Sequence, residues 1–428
     1  MAHDISVSLP DVDGKTHVAP LAKAPRAVPH RYAFFGLVFL MYAISYADRA
    51  ALSIAMPALG RSFALSPVQM GWISSSFLAS YFLLNFPSAM LVDVYGARRM
   101  GSLAVTLWSA AMIMGGMVQN VWQFVASRLV LGAGEAPTFG IGATVVRHWA
   151  LPSERGTVMT ILLTGMQLGL AAGTIGGAYL IVLFNWRVEF VVLGLVGLVW
   201  AFFWHRVYRN RALGESNAAS KRISLDEVQG LLSSRSFYGI IIVQCTQNYL
   251  NFLIMSWAPI YLIHELNLDL ARTGNSTALC YLAAACGAVV VGRGAERLIM
   301  TRNAPPARRR LIVAACIWGA ASIGFLPYFH TITPILTIMS VAVGCLIAAN
   351  GANTAMLTDF VEDGTKIGAV TGITLTFSNF LGLFAPIITG YIVTYTHRFD
   401  AAWMMCSAAL LVAGLFSILL VRRPIAMR

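Results

Sequence analysis

Charge is what this chain has least of: Asp, Glu, Lys and Arg make up 11% of its 428 residues, where a soluble protein carries about a quarter. It also lacks any cysteine or histidine pattern with metal-ligand spacing. The six cysteines, Cys245, Cys280, Cys286, Cys316, Cys345 and Cys406, fall in apolar stretches of the second half and read as small core hydrophobes. His264-Glu265-Leu266-Asn267-Leu268 begins like a zinc-protease helix but has no second histidine, and Gly14-Lys15-Thr16 has Leu9 where a phosphate loop needs its leading glycine. These absences set aside an enzyme, an ATP site, a metal and a cofactor. Residues 1–30 contain Asp4, Asp11 and Asp13 and have no apolar h-region, which excludes a signal or transit peptide and leaves a disordered tail as the expectation. Short alternating strands, the mark of an outer-membrane barrel, are missing too.

What the chain has is one long apolar run after another, with 58% hydrophobic residues and a mean hydropathy of +0.71. The solvent is therefore a bilayer, and the spans are helical because each must satisfy its own backbone polar groups. The expected fold is all-α with twelve transmembrane helices, at roughly 32–58, 68–91, 100–119, 122–146, 156–183, 188–208, 237–262, 273–298, 311–329, 333–357, 367–394 and 401–421, each near or above the ~20 residues needed to cross.

The net charge of +12 does not point to nucleic acid, because of where the bases stand. With both termini inside, 24 of the 30 Lys and Arg are cytoplasmic, 4 outside (Arg61, Arg187, Arg272, Arg398) and 2 within the membrane (Arg49, Arg128). That asymmetry is the positive-inside rule and fixes the expected orientation. Arg308-Arg309-Arg310 is then a topology signal.

The longest polar interruption divides the spans six and six. The expected organisation is a cytoplasmic tail over 1–30, a six-helix half over 31–208, a linker over 209–235, a second six-helix half over 236–421 and a short cytoplasmic tail over 422–428. Two such halves suggest a transporter built from repeats, with its binding site between them near the midplane. Short loops support the repeat: Asp93-Val94-Tyr95-Gly96-Ala97-Arg98-Arg99 in the first half and Gly292-Arg293-Gly294-Ala295-Glu296-Arg297 in the second each set an acid at a helix end with bases just beyond. The acid can bridge to a neighbouring helix, and such a bridge is broken and remade when the halves rock. With these loops the chain resembles the major facilitator superfamily, although Ala89 stands at the motif's leading glycine and the second copy is more degenerate.

Sorted by depth, only Asp48 and Glu135 among the acids, and only Arg49 and Arg128 among the bases, fall deep inside spans. A charge at the centre of a membrane helix costs roughly 2.5–3.5 kcal/mol, so a functional site is the default reading. Asp48 and Arg49 stand about 100° apart around one helix, and Arg128 and Glu135 are two turns apart on another, so each charge finds its partner on the other helix or in a ligand. Such a set suits proton-coupled transport of an anion. A carboxylate in low dielectric can bind a proton, while a neighbouring guanidinium stays charged and can hold a carboxylate substrate. A buried ion-pair network that only pins the two spans together is the structural alternative.

Tyr46-x-Asp48-Arg49-Ala50-x-Leu52-Ser53, Arg128 with Gly132-x-Gly134-Glu135-Ala136-Pro137-x-Phe139, Pro152-x-Glu154-Arg155-Gly156 and Trp186-Arg187-x-x-Phe190 with Gly194, Gly197, Trp200, Trp204 and Tyr208 together resemble the anion:cation symporter family of that superfamily. This family includes bacterial sugar-acid:proton symporters and is related to vesicular glutamate and sialic acid carriers. The resemblance implies that Asp48 and Glu135 carry protons, that Arg128 couples them, and that Arg49, Tyr46, Tyr81, Gln244 and Asn379 contact substrate. It also implies that Asp93, Gly96, Arg98 and Arg99 form the gating loop. For Tyr81 and Gln244 plain interhelical hydrogen bonding is an equal reading. Met166 and Leu375 stand where sugar-acid members often have Gln and Asn, which opens less hydroxylated or larger acids as substrates, although Asn248, Asn251, Asn350 and Asn353 can compensate.

The function expected is import of a small organic anion with protons, by alternating access, by a monomer in a bacterial inner membrane. An exporter or antiporter is the rival; the span-five run Gly173-Thr174-Ile175-Gly176-Gly177 lacks the proline often present in facilitator antiporters, and the span-five glycines (165, 169, 173, 176 and 177) suit close packing at a sliding interface. A channel is disfavoured because nothing resembles a selectivity filter.

Overall fold

The computed structural model describes residues 31–151, 154–210, 225–299, 308–361, 367–422 and 425. The expected tail over 1–30, most of the linker and nearly all of the C-terminal tail lie outside them. Among the described residues the chain is helical throughout, apart from one isolated bridge between Val361 and Ile425.

The first half is built from α1 (Arg31–Phe63), α2 (Pro67–Met117), α3 (Val121–Glu135), α4 (Thr138–Trp149), α5 (Arg155–Leu183) and α6 (Trp186–Val207). A short α7 (Leu225–Ser233) lies within the stretch read as linker. The second half holds α8 (Arg235–Leu266), α9 (Leu270–Ile299), α10 (Arg309–Ala320) continued by a 3₁₀ segment (Ala321–Tyr328), α11 (Ile332–Phe360), α12 (Ile367–Gly382), α13 (Phe384–Thr396) and α14 (Asp400–Leu420).

Local chemistry sets these boundaries. Ser66 caps α2 in a reciprocal box with Gln69, and Asn120 and Asn185 cap α3 and α6 through the amides of Gln123 and Val188. Asn267 and His397 end α8 and α13 in the left-handed conformation. α2 runs for 51 residues, about twice what a bilayer requires, and its one non-helical residue, Gly96 (φ +79°), divides it into two passes. Pro137 follows Glu135 closely and lacks the N–H that would continue the ladder, which separates α3 from α4 within one span. Pro386 does the same between α12 and α13.

Ten of the described helical segments are long and apolar enough to cross a membrane. The twelve-span reading also counts the Pro67 half of α2 and all of α8, which are long enough but carry Ser74, Ser75, Ser76 and Ser80 or Gln244, Gln247, Asn248 and Asn251 along their middles. Much of those polar runs is turned into protein: Ser74, Ser75, Gln244 and Gln247 are buried and Ser76, Ser80 and Asn248 half-buried, while Asn251 is exposed. The molecule's outer surface is instead apolar, with Leu83, Leu103, Val199 and Val290 exposed, as a lipid-facing surface requires.

The halves meet toward one end. Backbone lies on backbone where a β-carbon at Gly71 would fall 2.5 Å from the Pro386 carbonyl, and one at Gly390 would fall 2.5 Å from the carbonyl of Pro67. Ser75 donates to the Leu383 carbonyl (2.7 Å), Gly274 of α9 lies against Thr174 and Ala178 of α5, and Asn275 donates to the Tyr179 hydroxyl (3.3 Å). At the opposite end, where α1 and α5 begin, the described ion pairs stay within their own half: Arg31 with Glu154 (2.8 Å), Arg147 with Asp93 (3.4 Å), Arg309 with Asp359 (2.7 Å).

Candidate functional site

The helix phase of α1 decides the pairing of the charges. Arg49 and Asp48 are sequence neighbours, but Arg49 turns toward α3 and binds Glu135, its Nε and Nη2 both 2.9 Å from Oε2. Ser45, one turn earlier on α1, donates to the same oxygen at 2.8 Å. Oε2 of Glu135 thus takes three donors while its Oε1, equally buried, takes none. The Arg49 guanidinium lies 4.5, 5.0 and 4.8 Å from the ring centroids of Tyr46, Phe77 and Tyr81. An aromatic cage of this kind holds a cation by its ring faces while leaving its in-plane N–H groups for an anion. The structure therefore brings together Tyr46, Arg49, Tyr81 and Glu135, and adds Phe77 and Ser45, which sequence reading missed.

Arg128 lies deeper in the bundle, 1% exposed. Its guanidinium sits over the rings of Phe124 (5.1 Å) and Phe190 (4.9 Å), its Nη2 meets the sulfur of Met112 at 3.3 Å, and its Nε has no acceptor. Gly115 makes room for it: a β-carbon there would stand 3.2 Å from Nη2. Asp48 is fully buried with neither oxygen bonded, within electrostatic reach of Arg128 and Arg49.

A cavity of about 30 Å³ connects the two arginines. It is lined by Asp48, Arg49, Ser53, Phe77 and Arg128 from the first half and is closed by Met255 and Ser256 of α8 from the second. That is room for a couple of waters. Tyr281 of α9 also reaches across, packing with Ala50 and Leu170, with Tyr46 and Met255 against them. No sequence signal distinguished Tyr281, since a lone tyrosine in an apolar run carries no spacing.

The polar residues of the second half are bonded to one another. Gln244 donates to Asn350 (2.8 Å) and accepts from Asn353 (2.9 Å), while Asn248 donates to Ser378 and to Asn379, both at 3.0 Å. These bonds tie α8 to α11 and α12. Gln244 and Asn379 lie away from the Arg49 cage's own contacts.

The loop residues dock on α6. Gly96 turns where a β-carbon would meet the Asn210 side chain at 2.5 Å, Asn210 accepts from the Arg98 amide (3.0 Å), and the Arg98 guanidinium donates to the His205 carbonyl (2.7 and 3.1 Å). Asp93 bridges to Arg147 of α4, and Arg99 is exposed. In the second copy Arg309 faces both Glu296 (3.8 Å) and Asp359 (2.7 Å).

Two sequence readings need correction. Counting by depth left only two acids inside the spans, but Glu189 is fully buried as well. It lies in the first turn of α6 beside Arg187, so depth alone places it at the membrane edge, while α1, α3 and α5 close over it. The close-packing glycines of α5 do not serve the interface between the halves either. Gly165, Gly169 and Gly173 press on the α1 backbone at Phe39, Ala43 and Ala47, within one half.

Helices that bury paired charges at the junction of two halves, under a lipid-facing apolar surface, define a polytopic membrane transporter and not an enzyme. The Major Facilitator Superfamily model matches residues 38–307, more than half of the chain. The chain belongs to the major facilitator superfamily. It is 31% identical over 404 residues to a protein described as a probable L-galactonate transporter of Escherichia coli (strain K12), covering 91% of this chain and 89% of that one. To the hexuronate transporter of Bacillus subtilis (strain 168) it is 29% identical, covering 90% and 93%. A crystal structure of a bacterial homologue of the human lysosomal transporter Spinster, inward-facing and occupied, shares the fold with a TM-score of 0.76 at 17% identity, over 94% of this chain and 99% of that one.

Proposed function

We propose that this protein is a proton-coupled symporter that imports a small organic anion, a sugar acid or a comparable carboxylate, through a bacterial inner membrane. The observation that carries the reading is the Arg49 site: a guanidinium held in a ring cage, at the junction of the halves, whose one acid partner among the described residues binds it through one oxygen. A substrate carboxylate can take the place of Glu135 on that guanidinium only if Glu135 gives up its charge. The unbonded Oε1 of Glu135 is where the proton goes. Proton binding thus frees Arg49, and substrate on Arg49 favours the protonated acid, so the two ligands help each other by the same factor. Asp48 and Arg128 form the second charge set across the cavity.

By the distribution of its basic residues, the Arg31 end faces the cytoplasm. The halves then touch on the outside, and the small cavity must widen as they rock before a six-carbon acid can enter. The relatives' substrates favour aldonic and uronic acids.

The test is uptake into proteoliposomes under an inward proton gradient, with L-galactonate, hexuronates, aromatic acids and simple mono- and dicarboxylates. Accumulation of one class is expected, and Glu135→Gln should abolish it while sparing counterflow exchange. Undiminished accumulation in the variant would sink the assignment. Efflux or exchange of acids with no proton-driven uptake would establish an exporter instead.

A further inference from the structure

Glu189 has no role in the scheme above, and its surroundings are unusual. Neither of its carboxylate oxygens has a hydrogen-bond donor, although the residue is fully buried. Oε1 rests on the backbone of Gly177 in α5, where any β-carbon would collide with it, and Ile54 of α1 closes the same point at 3.0 Å. The carboxyl group is pressed onto the α5 backbone, and among the described residues no donor is bonded to it. The charged groups in reach are Arg128 from α3 and Asp48 from α1; α2 and α5 present none among the described residues. Arg187, next but one in sequence, is turned away, donating to the carbonyls of Gly116 and Val118 and lying over the Trp186 ring.

Counting the buried cluster again gives three carboxylates, Asp48, Glu135 and Glu189, against two guanidiniums. Arg49 is committed to Glu135. Arg128 is left between Asp48 and Glu189 and is hydrogen-bonded to neither. One guanidinium cannot neutralise two carboxylates, and an unpaired ionised carboxylate in such surroundings is far less stable than its protonated form. Depth adds direction. Glu189 stands three residues from the start of α6, at the Pro67 end, while Asp48 stands fifteen residues from the end of α1.

We propose that Glu189 is a third proton-binding site, which competes with Asp48 for Arg128 and keeps one proton resident on the Asp48–Glu189 pair while the transport site is empty. When Arg128 swings to Glu189, Asp48 takes the proton; when it returns to Asp48, Glu189 takes it. A proton arriving from the Pro67 end is handed inward by that exchange, with no bond made or broken except to hydrogen. Its consequence for transport rests on the symport reading; the protonation itself does not.

The decisive experiment is therefore one that needs no substrate: infrared pH-difference spectroscopy on the purified protein in lipid nanodiscs, following the carbonyl stretch of protonated carboxylic acids. Glu189→Gln is expected to delete one such band, and Asp48→Asn to alter the band of Glu189 because the two share Arg128. Gly177→Ala, which keeps the acid but moves it off its cradle, should shift the band's frequency and serves as the readout if Glu189→Gln does not fold. A spectrum unchanged by Glu189→Gln or by Gly177→Ala overturns the proposal, whatever the transport data show. In proteoliposomes Glu189→Gln should then lower proton-driven accumulation of the transported acid by about tenfold, with counterflow unaffected; equal losses in both would reduce Glu189 to packing.

Discussion

At the residue scale, the question is what Arg49 does that another cation could not. Its fork bonds Glu135 through two nitrogens while its flat face meets three rings. Lysine keeps the charge but loses the plane and the fork. Arg49→Lys is therefore expected to weaken substrate binding by about 10- to 100-fold, the loss of one or two charge-assisted hydrogen bonds, as read by calorimetric titration of the purified protein with the acid identified by uptake. Affinity within a factor of two of the parent would return Arg49 to a purely structural role. The sequence made this residue visible because a charge inside an apolar run has no inconspicuous reason to be there. That it does not pair with its neighbour Asp48 followed from helix phase; that its partner is Glu135 did not, because phase alone leaves the other helix or a ligand equally open. Glu189 was hidden because it begins a helix, where acids are common for their own reasons. Gln244 and Asn379 were visible as polar residues, but nothing in the sequence says that Asn350, Asn353 and Asn248 already occupy their amides.

At the element scale, α5 shows how small residues set geometry. A β-carbon at Gly169 would collide with the Ala43 carbonyl, and one at Gly173 would stand 2.5 Å from the α-carbon of Ala47, so the two backbones touch along a shared face. Gly176, on the same helix, faces open space. Gly169→Val should therefore force α1 from α5 and lower stability by about 1–3 kcal/mol, as overpacking does, whereas Gly176→Val should leave it within about 0.5 kcal/mol. Thermal melting of the two variants in detergent checks this; equal melting temperatures would contradict the packing. Because Ala47 adjoins Asp48, the displaced α1 also carries the site with it, and Gly169→Val should lose transport beyond its loss of stability. The glycines were plain in the sequence, but which neighbour they faced was not, since a stripe of small residues fits an immobile contact as well as a sliding one. α6 offers the converse case. Trp200, Trp204 and Tyr208 stack at 5.1 and 4.2 Å, and the two indoles donate to the carbonyls of Leu37 and Arg98, fixing α1 and the Gly96 turn to one ladder.

At the scale of the whole molecule, the two-half plan was legible because hydrophobic runs and basic loops are one-dimensional signals, whereas the angle between the halves was not, since both orientations of a rocking pair bury the same sequence. The structure holds one of them, closed at the Pro67 end through Gly71–Pro386, Gly390–Pro67 and Gly274–Thr174. Backbone contacts this close cannot slide; they part or they stay. Alternating access by rigid-body rocking requires them to part in every cycle. Tyr179 and Asn275 flank that seam with a 3.3 Å hydrogen bond between side chains, so cysteines at the two positions lie within the span of a short bis-methanethiosulfonate bridge. In a background with the six native cysteines replaced, the bridged pair Tyr179→Cys/Asn275→Cys is expected to bind substrate from the Arg31 side yet lose both counterflow and proton-driven uptake. A thiol reductant should restore them. Either single cysteine treated with the same reagent should transport normally, which separates the bridge from the modification. Full transport by the bridged protein would mean that the Pro67 end need not open, and the path of the substrate would have to be sought elsewhere than between the halves.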